Sequence, residues 1–552
     1  MTITHIAQTL RQSAQADPQR IAMRCPGKRG DYSIALTYGQ LDARSEALAR
    51  GLRLRSIERG MRVVLMVRPT PEFFLAMFAL FKLGAVPVLV DPGIDKRSLR
   101  QCLDEAEAQA FIGIPLALFA RKLLGWARSA RIVISAGTWP LFAETTLARV
   151  EADGNAATGG FEEPNTNDVA AILFTSGSTG VPKGVVYRHR HFVAQIAMLR
   201  DAFGIQPGGV DLPTFPPFAL FDPALGLTSI IPDMDPTRPA RANPAKLHAA
   251  IARFGVTQLF GSPALMRVLA QYGQPLPSIR RATSAGAPVP PQTVATLLEL
   301  LPDDAQFWTP YGATECLPVA VIEGSELLRL RTQTENGAGT CVGRAAQPNV
   351  VRIIAIDDGA IERWQDVLEL AQGEVGEITV AGPTATDSYF NRDVATRLSK
   401  ITETLADGST RVVHRMGDLG WLDEQGRLWF CGRKSQRVVK DAHTTLCTEQ
   451  VEPVFNTHPA VARTALVGVG PAGAQRAFVC VELRAGITAA QWPRIAEELR
   501  RIADSGPWRD KIDGFLHYPH AFPVDIRHNA KISREKLAAW ASRRLAGSRA
   551  GS

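Results

Sequence analysis

The stretch LFTSGSTGVPKGVV, Leu173 to Val186, sets hydroxyl residues and glycines between two apolar runs and adds a single lysine. A strand ending near Phe174 would open into Thr175, Ser176, Gly177, Ser178, Thr179 and Gly180, whose hydroxyls and unshielded N–H groups suit phosphate oxygens. Lys183 would place a point charge where polyphosphate charge accumulates. The loop is not a Walker motif, because Pro182 stands where a glycine must precede the lysine and Gly184 where Ser or Thr is needed. Nor is it a nucleophile elbow, since Ser176 occupies the first glycine position of GxSxG. Taken alone, a flexible turn after a strand is the plainer alternative.

Four further stretches carry groups of the same chemistry. TPYGATE, Thr309 to Glu315, brings an aromatic ring, a glycine turn, a hydroxyl and a carboxylate together. SAGAPVP, Ser284 to Pro290, is a tight loop whose backbone could approach a planar ring. HRMGDLGWLDEQGRLWFCGRK, His414 to Lys434, contributes Asp418 and Arg433, each beside a glycine, and RHNAKISREKL, Arg527 to Leu537, sets Lys531 just ahead of a helix. His189 and His191 follow the first loop at a spacing that fits a strand edge, and are expected to be structural or substrate-lining.

The elements that would position these groups alternate. Strand-like runs at 61–67, 85–90, 170–175 and 256–261 are separated by helical patterns near 71–83, 95–108 and 263–272, which predicts α/β architecture with parallel sheet. Residues 151–168, EADGNAATGGFEEPNTND, lack periodicity and are expected to form a surface connection. Beyond LWFCGRK the texture changes to a smaller unit, with helices near 449–457 and 489–504, strands RTALVGV and AFVCVEL, and a charged helix after Ile532. The expected organisation is a large N-terminal domain of layered sheets and helices, 1–433, and a small mobile α+β C-terminal domain, 434–552.

A chain of 552 residues exceeds one ordinary core, and 45% hydrophobic with 21% charged residues is globular. The net charge of +8 is spread along the chain, without the concentrated stripe that nucleic acid would require. The seven cysteines include no CxxC pair, which predicts reduced thiols and a cytoplasmic location. The N-terminus has no apolar signal region. The run from Phe73 to Val90 is divided by Lys82, Gly84 and Pro87, so a buried helix and strand are expected rather than a transmembrane segment.

In their order, TSGSTGVPKG, YGATE, GEVGEITV (373–380), the Asp418 segment, GRK (432–434) and the terminal lysine motif resemble those of the adenylate-forming superfamily of acyl-CoA synthetases, peptide-synthetase adenylation domains and luciferases. The similarity begins at LTYGQL (36–41) and covers nearly the whole chain. It implies ATP and Mg²⁺ as cofactors, and a carboxylate joined to AMP before the acyl group passes to a nucleophile. By the same resemblance Thr175, Ser176, Gly177, Ser178, Thr179, Gly180 and Lys183 hold the β- and γ-phosphates, Glu315 binds Mg²⁺ and Thr314 contacts the α-phosphate. Tyr311, with Gly312 beside it, stacks on adenine against a wall of Gly286, Ala287 and Pro288. Asp418 takes the ribose hydroxyls, Arg433 supports the ribose, and Lys531 is the catalytic lysine reaching in from the small domain.

The chain departs from thioester-forming relatives at the hinge, where Ser435 follows Gly432, Arg433 and Lys434, and at Ala442, which stands at a glycine position. Asn529 and Ala530 replace the usual Ser-Gly before Lys531. VVYRHRHF, TFPPFALFDPALG and DIRHNAKI are similar to a narrower group, the β-lactone synthetases of bacterial long-chain olefin biosynthesis. That resemblance implies a 2-alkyl-3-hydroxy fatty acid whose own 3-hydroxyl expels AMP, and pathway partners in a condensing enzyme, a ketoreductase and a lactone decarboxylase. Phe218, Phe221, Asp222 and His189 would line the acyl site, with His189 and Asp222 as the bases to consider. Transfer to coenzyme A or a carrier thiol is the alternative.

Overall fold

The longest apolar run of the chain forms a helix, Pro71–Leu83, followed by a strand, Val86–Val90, in a computed structural model that describes residues 3–27, 30–91, 94–175, 182–524 and 532–549. Pro71 suits the first helical turn and Gly84 ends the helix at φ +70°, where a Cβ would be strained. Every residue of this helix but Glu72 is buried, because other layers cover it on all sides. Its one cation is satisfied internally: Lys82 Nζ donates to the carbonyl and carboxylate of Asp42, each at 2.7 Å, and lies 3.3 Å from Glu46. Among the described residues no helix is long and apolar enough to cross a membrane.

That strand belongs to a seven-stranded sheet. Its order is Thr145–Thr146, Ile132–Ser135, Ala110–Gly113, Arg62–Met66, Val86–Val90, Val169–Thr175 and Lys183–Arg188. Neighbours run parallel until the last pair, an antiparallel hairpin in which Thr175 faces Lys183. The glycine-rich stretch is therefore the connection of a hairpin whose two ends are fixed by sheet pairing.

A second, larger sheet contains the parallel strands Val210–Pro213, Gln258–Gly261, Arg281–Ser284 and Gln306–Ala313, and turns antiparallel at Cys316–Glu323. Its last strand in the chain is Arg427–Arg433. Later described strands form only small sheets, a pair (Val438–Val439 with Thr445–Leu446) and a three-stranded sheet of Val461–Val469, Arg476–Leu483 and Gly514–His517. Helices Thr448–Asn456, Trp492–Ser505 and Arg534–Arg549 complete a small α+β unit. The fold is α/β with a separate small C-terminal domain. All seven cysteines are buried free thiols.

One expectation fails locally. Residues 151–156 are not loop but the end of a helix, Leu147–Ala156, which starts on the Thr146 side-chain cap. Composition hid it, because the helix is held by contact rather than by a broad apolar stripe. Gly154 and Gly51 let it lie directly against Tyr38–Leu54, and a Cβ on either would come within 1.9 Å of a carbonyl oxygen of the facing helix.

Candidate active site

Residues of both large sheets line a cleft of about 1580 Å³. Lys183, Gly286, Tyr311, Gly312, Thr314, Glu315 and Arg433 are on its wall, so positions spread over 250 residues of sequence converge there. Ala287 is half-buried and Pro288 exposed beyond Gly286, and neither is on the wall. Ser176, Gly177, Ser178, Thr179, Gly180 and Lys531 lie outside the described residues, and Thr175 enters only through its backbone pairing.

Thr314 and Glu315 are the two-residue turn between strands Gln306–Ala313 and Cys316–Glu323. Such a tip is mobile unless its polar groups are tied, and here both carbonyls and one carboxylate oxygen are. Tyr187 Oη donates to the Thr314 carbonyl, while Thr386 donates to the Glu315 carbonyl from its N–H at 2.9 Å and its Oγ1 at 3.0 Å. Tyr389 Oη donates to Glu315 Oε1 at 2.6 Å. Tyr389 also carries Lys183 Nζ over its ring, 4.8 Å from the centroid, and its backbone forms a bridge to Val185 on the lysine's strand. The phosphate-type lysine and the carboxylate are thereby tied to one ring. Behind them Lys400 donates to Thr386 Oγ1 at 3.3 Å, its ammonium pushed down to about 8 by burial.

Asp418 is 2% exposed and sits behind the wall rather than on it. Tyr311 Oη donates to its Oδ2 at 2.6 Å and the Arg433 guanidinium lies 2.9 Å from Oδ1, the two residues facing each other across neighbouring strands. Burial and the adjacent carboxylate push the Tyr311 phenol well up, so it stays a donor. Next to Arg433, Lys434 Nζ donates to Glu377 Oε2 at 3.1 Å and to the Asp357 carbonyl at 2.8 Å, pinning the end of the large sheet's last strand. Ala442 lies on the exposed turn after Val438–Val439 without a positive φ, so its Cβ is accommodated there.

A second arm of the cleft is apolar. Phe215, Phe218 and Phe260 stack edge to face at 5.1 and 4.5 Å, and Phe221 joins them on the wall. Asp222 and Asp211 also line the cleft, buried side by side, with Ser229 Oγ donating to Asp222. Burial raises both carboxyls, Asp211 to about 7 and Asp222 well above its ordinary range, with the Asp211 charge adding to the rise of Asp222. Two adjacent buried carboxyls hold a proton between them. A folded pKa above the unfolded one makes this stability complete below about pH 4 and lost as pH rises through about 7. Asp211→Asn is therefore expected to lose less stability than the native chain between pH 5 and pH 8, by on the order of 2 kcal/mol in urea unfolding; equal losses would contradict the shared proton.

His189 differs from expectation. It and His191 do not lie on a strand edge but open the helix His189–Phe203, whose N-terminus is tied by the Arg188 N–H donating to His191 Nδ1 at 2.9 Å. His189 stands behind the cleft wall, its ring edge-on to His5 and Phe81 at 5.7 and 6.1 Å, and neither ring nitrogen has a hydrogen-bond partner among the described residues. Burial pulls it down to about 3, so it is neutral, and it is 1% exposed and off the cleft wall. Nothing local in the sequence marks Tyr187, Thr386 or Lys400 for this site. Tyr389 had one local signal, an aromatic beside Asn391 and Arg392 shortly after a glycine-bounded strand, but nothing that pointed to Glu315.

The family described as AMP-binding enzyme matches residues 10–390. The chain is 65% identical over 546 residues to an olefin beta-lactone synthetase of Xanthomonas campestris and 65% identical over 547 residues to one of Stenotrophomonas maltophilia, covering 98% of this chain and of each relative. Among solved structures, the amide bond synthetase McbA of Marinactinospora thermotolerans superposes with a TM-score of 0.76 at 22% identity, over 97% of this chain and 99% of that one, a likeness of fold.

Proposed function

Because the chain belongs to the AMP-binding enzyme family, we propose that it activates the carboxylate of a 2-alkyl-3-hydroxy fatty acid with ATP and closes the resulting adenylate to a β-lactone. The observation that carries this reading is the near-full-length 65% identity to two proteins bearing the lactone synthetase name. The cleft supports it, with a polar arm around Lys183 and Glu315 and an apolar arm of phenylalanines suited to an alkyl chain. Transfer to a thiol is not favoured, since neither of those relatives bears a thiol-ligase name.

In this reading the substrate carboxylate oxygen attacks the α-phosphorus and pyrophosphate leaves, with Lys183 and the hairpin connection on the β- and γ-phosphates and Thr314 near the α-phosphate. Tyr311, Gly286 and Gly312 hold the base, and Asp418 with Arg433 the ribose. Lys531 neutralises the charge where carboxylate and phosphate meet. The 3-hydroxyl oxygen then attacks the acyl carbon, the bond to AMP breaks, and the departing phosphate takes the proton. That acceptor is the leaving group itself, whereas His189 is buried and is not on the cleft wall.

Mg²⁺ fits this site. It binds through one or two carboxylates together with substrate phosphates rather than a protein cage; Glu315 supplies such a carboxylate, and no cage of three or more ligands occurs among the described residues. When bound it would offset phosphate charge during adenylation. Tyr389→Phe removes one hydrogen bond to Glu315 and is expected to cost about tenfold in adenylate formation, with the Mg²⁺ concentration at half-maximal rate raised and the thermal midpoint little changed. An unchanged Mg²⁺ dependence would show that Tyr389 does not orient the carboxylate.

Incubation with ATP, Mg²⁺ and a 2-alkyl-3-hydroxy acid, followed by mass spectrometry with and without coenzyme A, tests the product. Lactone and AMP are expected in both; a thioester that requires coenzyme A would sink the proposal.

A further inference from the structure

Seven of the fourteen large hydrophobic side chains exposed among the described residues fall between residues 116 and 142. They lie on one helix and the loop that packs against it. Leu116, Phe119 and Leu123 recur at i, i+3 and i+7 along the outer face of helix Pro115–Leu124, and Phe142 meets Phe119 with ring centroids 5.9 Å apart. Trp139, 77% exposed, stands at the tip of the same loop. An apolar face of this kind on a globular protein marks an interaction surface.

Two observations identify what it meets. From Pro115 to Ala143 there is no acidic residue, while Arg121, Lys122, Arg128 and Arg131 are all cationic; Glu144 is the first acid beyond. Lys122, Arg128 and Arg131 are exposed, and Lys122 Nζ lies over the Phe142 ring at 4.8 Å, within the patch itself. A segment of Trp, Phe and Leu interleaved with cations and without an acidic residue of its own complements a lipid interface with acidic headgroups. The second observation is on the other side of the same helix. Ile114, its N-cap, and Ala117 on its first turn line the cleft, so one short helix presents its outer face to solvent and its inner face to the apolar cavity.

We propose that the outer face of helix Pro115–Leu124 with the 139–142 loop is a docking surface for an anionic lipid bilayer. The docked helix separates the bilayer from the cleft by its own width, which places the cavity next to the phase in which long alkyl chains reside. The binding step requires no substrate and stands or falls apart from the lactone reading.

The test uses the full chain in flotation with vesicles of phosphatidylcholine and phosphatidylglycerol, against vesicles of phosphatidylcholine alone. The native chain is expected to float with the mixed vesicles, less with the neutral ones and less in high salt. The variant Leu116→Ser/Phe119→Ser/Leu123→Ser/Trp139→Ser is expected to partition about tenfold more weakly, with unchanged circular dichroism and melting. Trp139→Phe should remove a blue shift of tryptophan emission that the native chain shows on mixed vesicles. The proposal is overturned if the native chain stays in solution, if the fourfold variant floats equally well, or if the patch proves to be covered by a second copy, seen as a dimer that the variant dissociates.

Discussion

Glu315→Gln is expected to lower substrate-dependent ATP–pyrophosphate exchange by at least about a hundredfold while the chain melts within a few degrees of the native protein. The asymmetry follows from how the turn is held. Its carbonyls are tied by Tyr187 and Thr386, contacts that the substitution leaves in place, and glutamine can still accept the Tyr389 hydroxyl through its amide oxygen. What disappears is the negative charge, whose structural part is a coulombic pull on the buried Lys400 without a direct contact between them, so most of the loss falls on binding a cation beside the polyphosphate. Exchange within about threefold of native would mean that the carboxylate does not act in adenylation.

Asp418→Ala is expected to act in the opposite proportion, on stability as much as on activity. The carboxylate is buried and pairs with both Tyr311 and Arg433, so its removal strands a phenol and a guanidinium that were desolvated to meet it. Loss of one partner from a fully buried ion pair costs roughly 3–5 kcal/mol; here Arg433 keeps about a third of its side chain in contact with solvent, which lowers the expected cost to about 2 kcal/mol. Urea unfolding reads that loss, and the KM for ATP is expected to rise at least tenfold because Tyr311 and Arg433, both on the cleft wall, lose their common anchor. Asp418→Asn keeps an acceptor for Tyr311 and should recover part of the stability with little of the nucleotide affinity. A variant as stable as the native chain would contradict the pairing.

Legibility in the sequence followed locality. The Pro71–Leu83 helix and the Val86–Val90 strand could be read because their continuous apolar composition, broken by Gly84 and Pro87, has few other solutions. Lys183 could be read because it lies eight residues from the strand end it pairs with. Tyr389 could not: its hydroxyl meets a carboxylate 74 positions away and its ring meets a lysine more than 200 positions away, and no local spacing encodes either contact. The histidines misled for a related reason. Alternation at i, i+2 looks like a strand edge, yet the strand Lys183–Arg188 ends one residue earlier and the His191 ring supplies the first helical turn with an acceptor. The helix end at 151–156 leaves no apolar signal, because its decisive residue, Gly154, stabilises by having no side chain at a crossing point with Gly51.

The central claim is that the carboxylate is the group activated and the 3-hydroxyl the group that closes the ring. A substrate carrying ¹⁸O in both carboxylate oxygens decides it in one mass-spectrometric measurement of the products. Attack of the carboxylate on the α-phosphorus followed by ring closure predicts one labelled oxygen in AMP and one in the lactone carbonyl, with an unlabelled ring oxygen. Both labels retained in the lactone and an unlabelled AMP would mean that the hydroxyl had been activated instead, and would contradict the account.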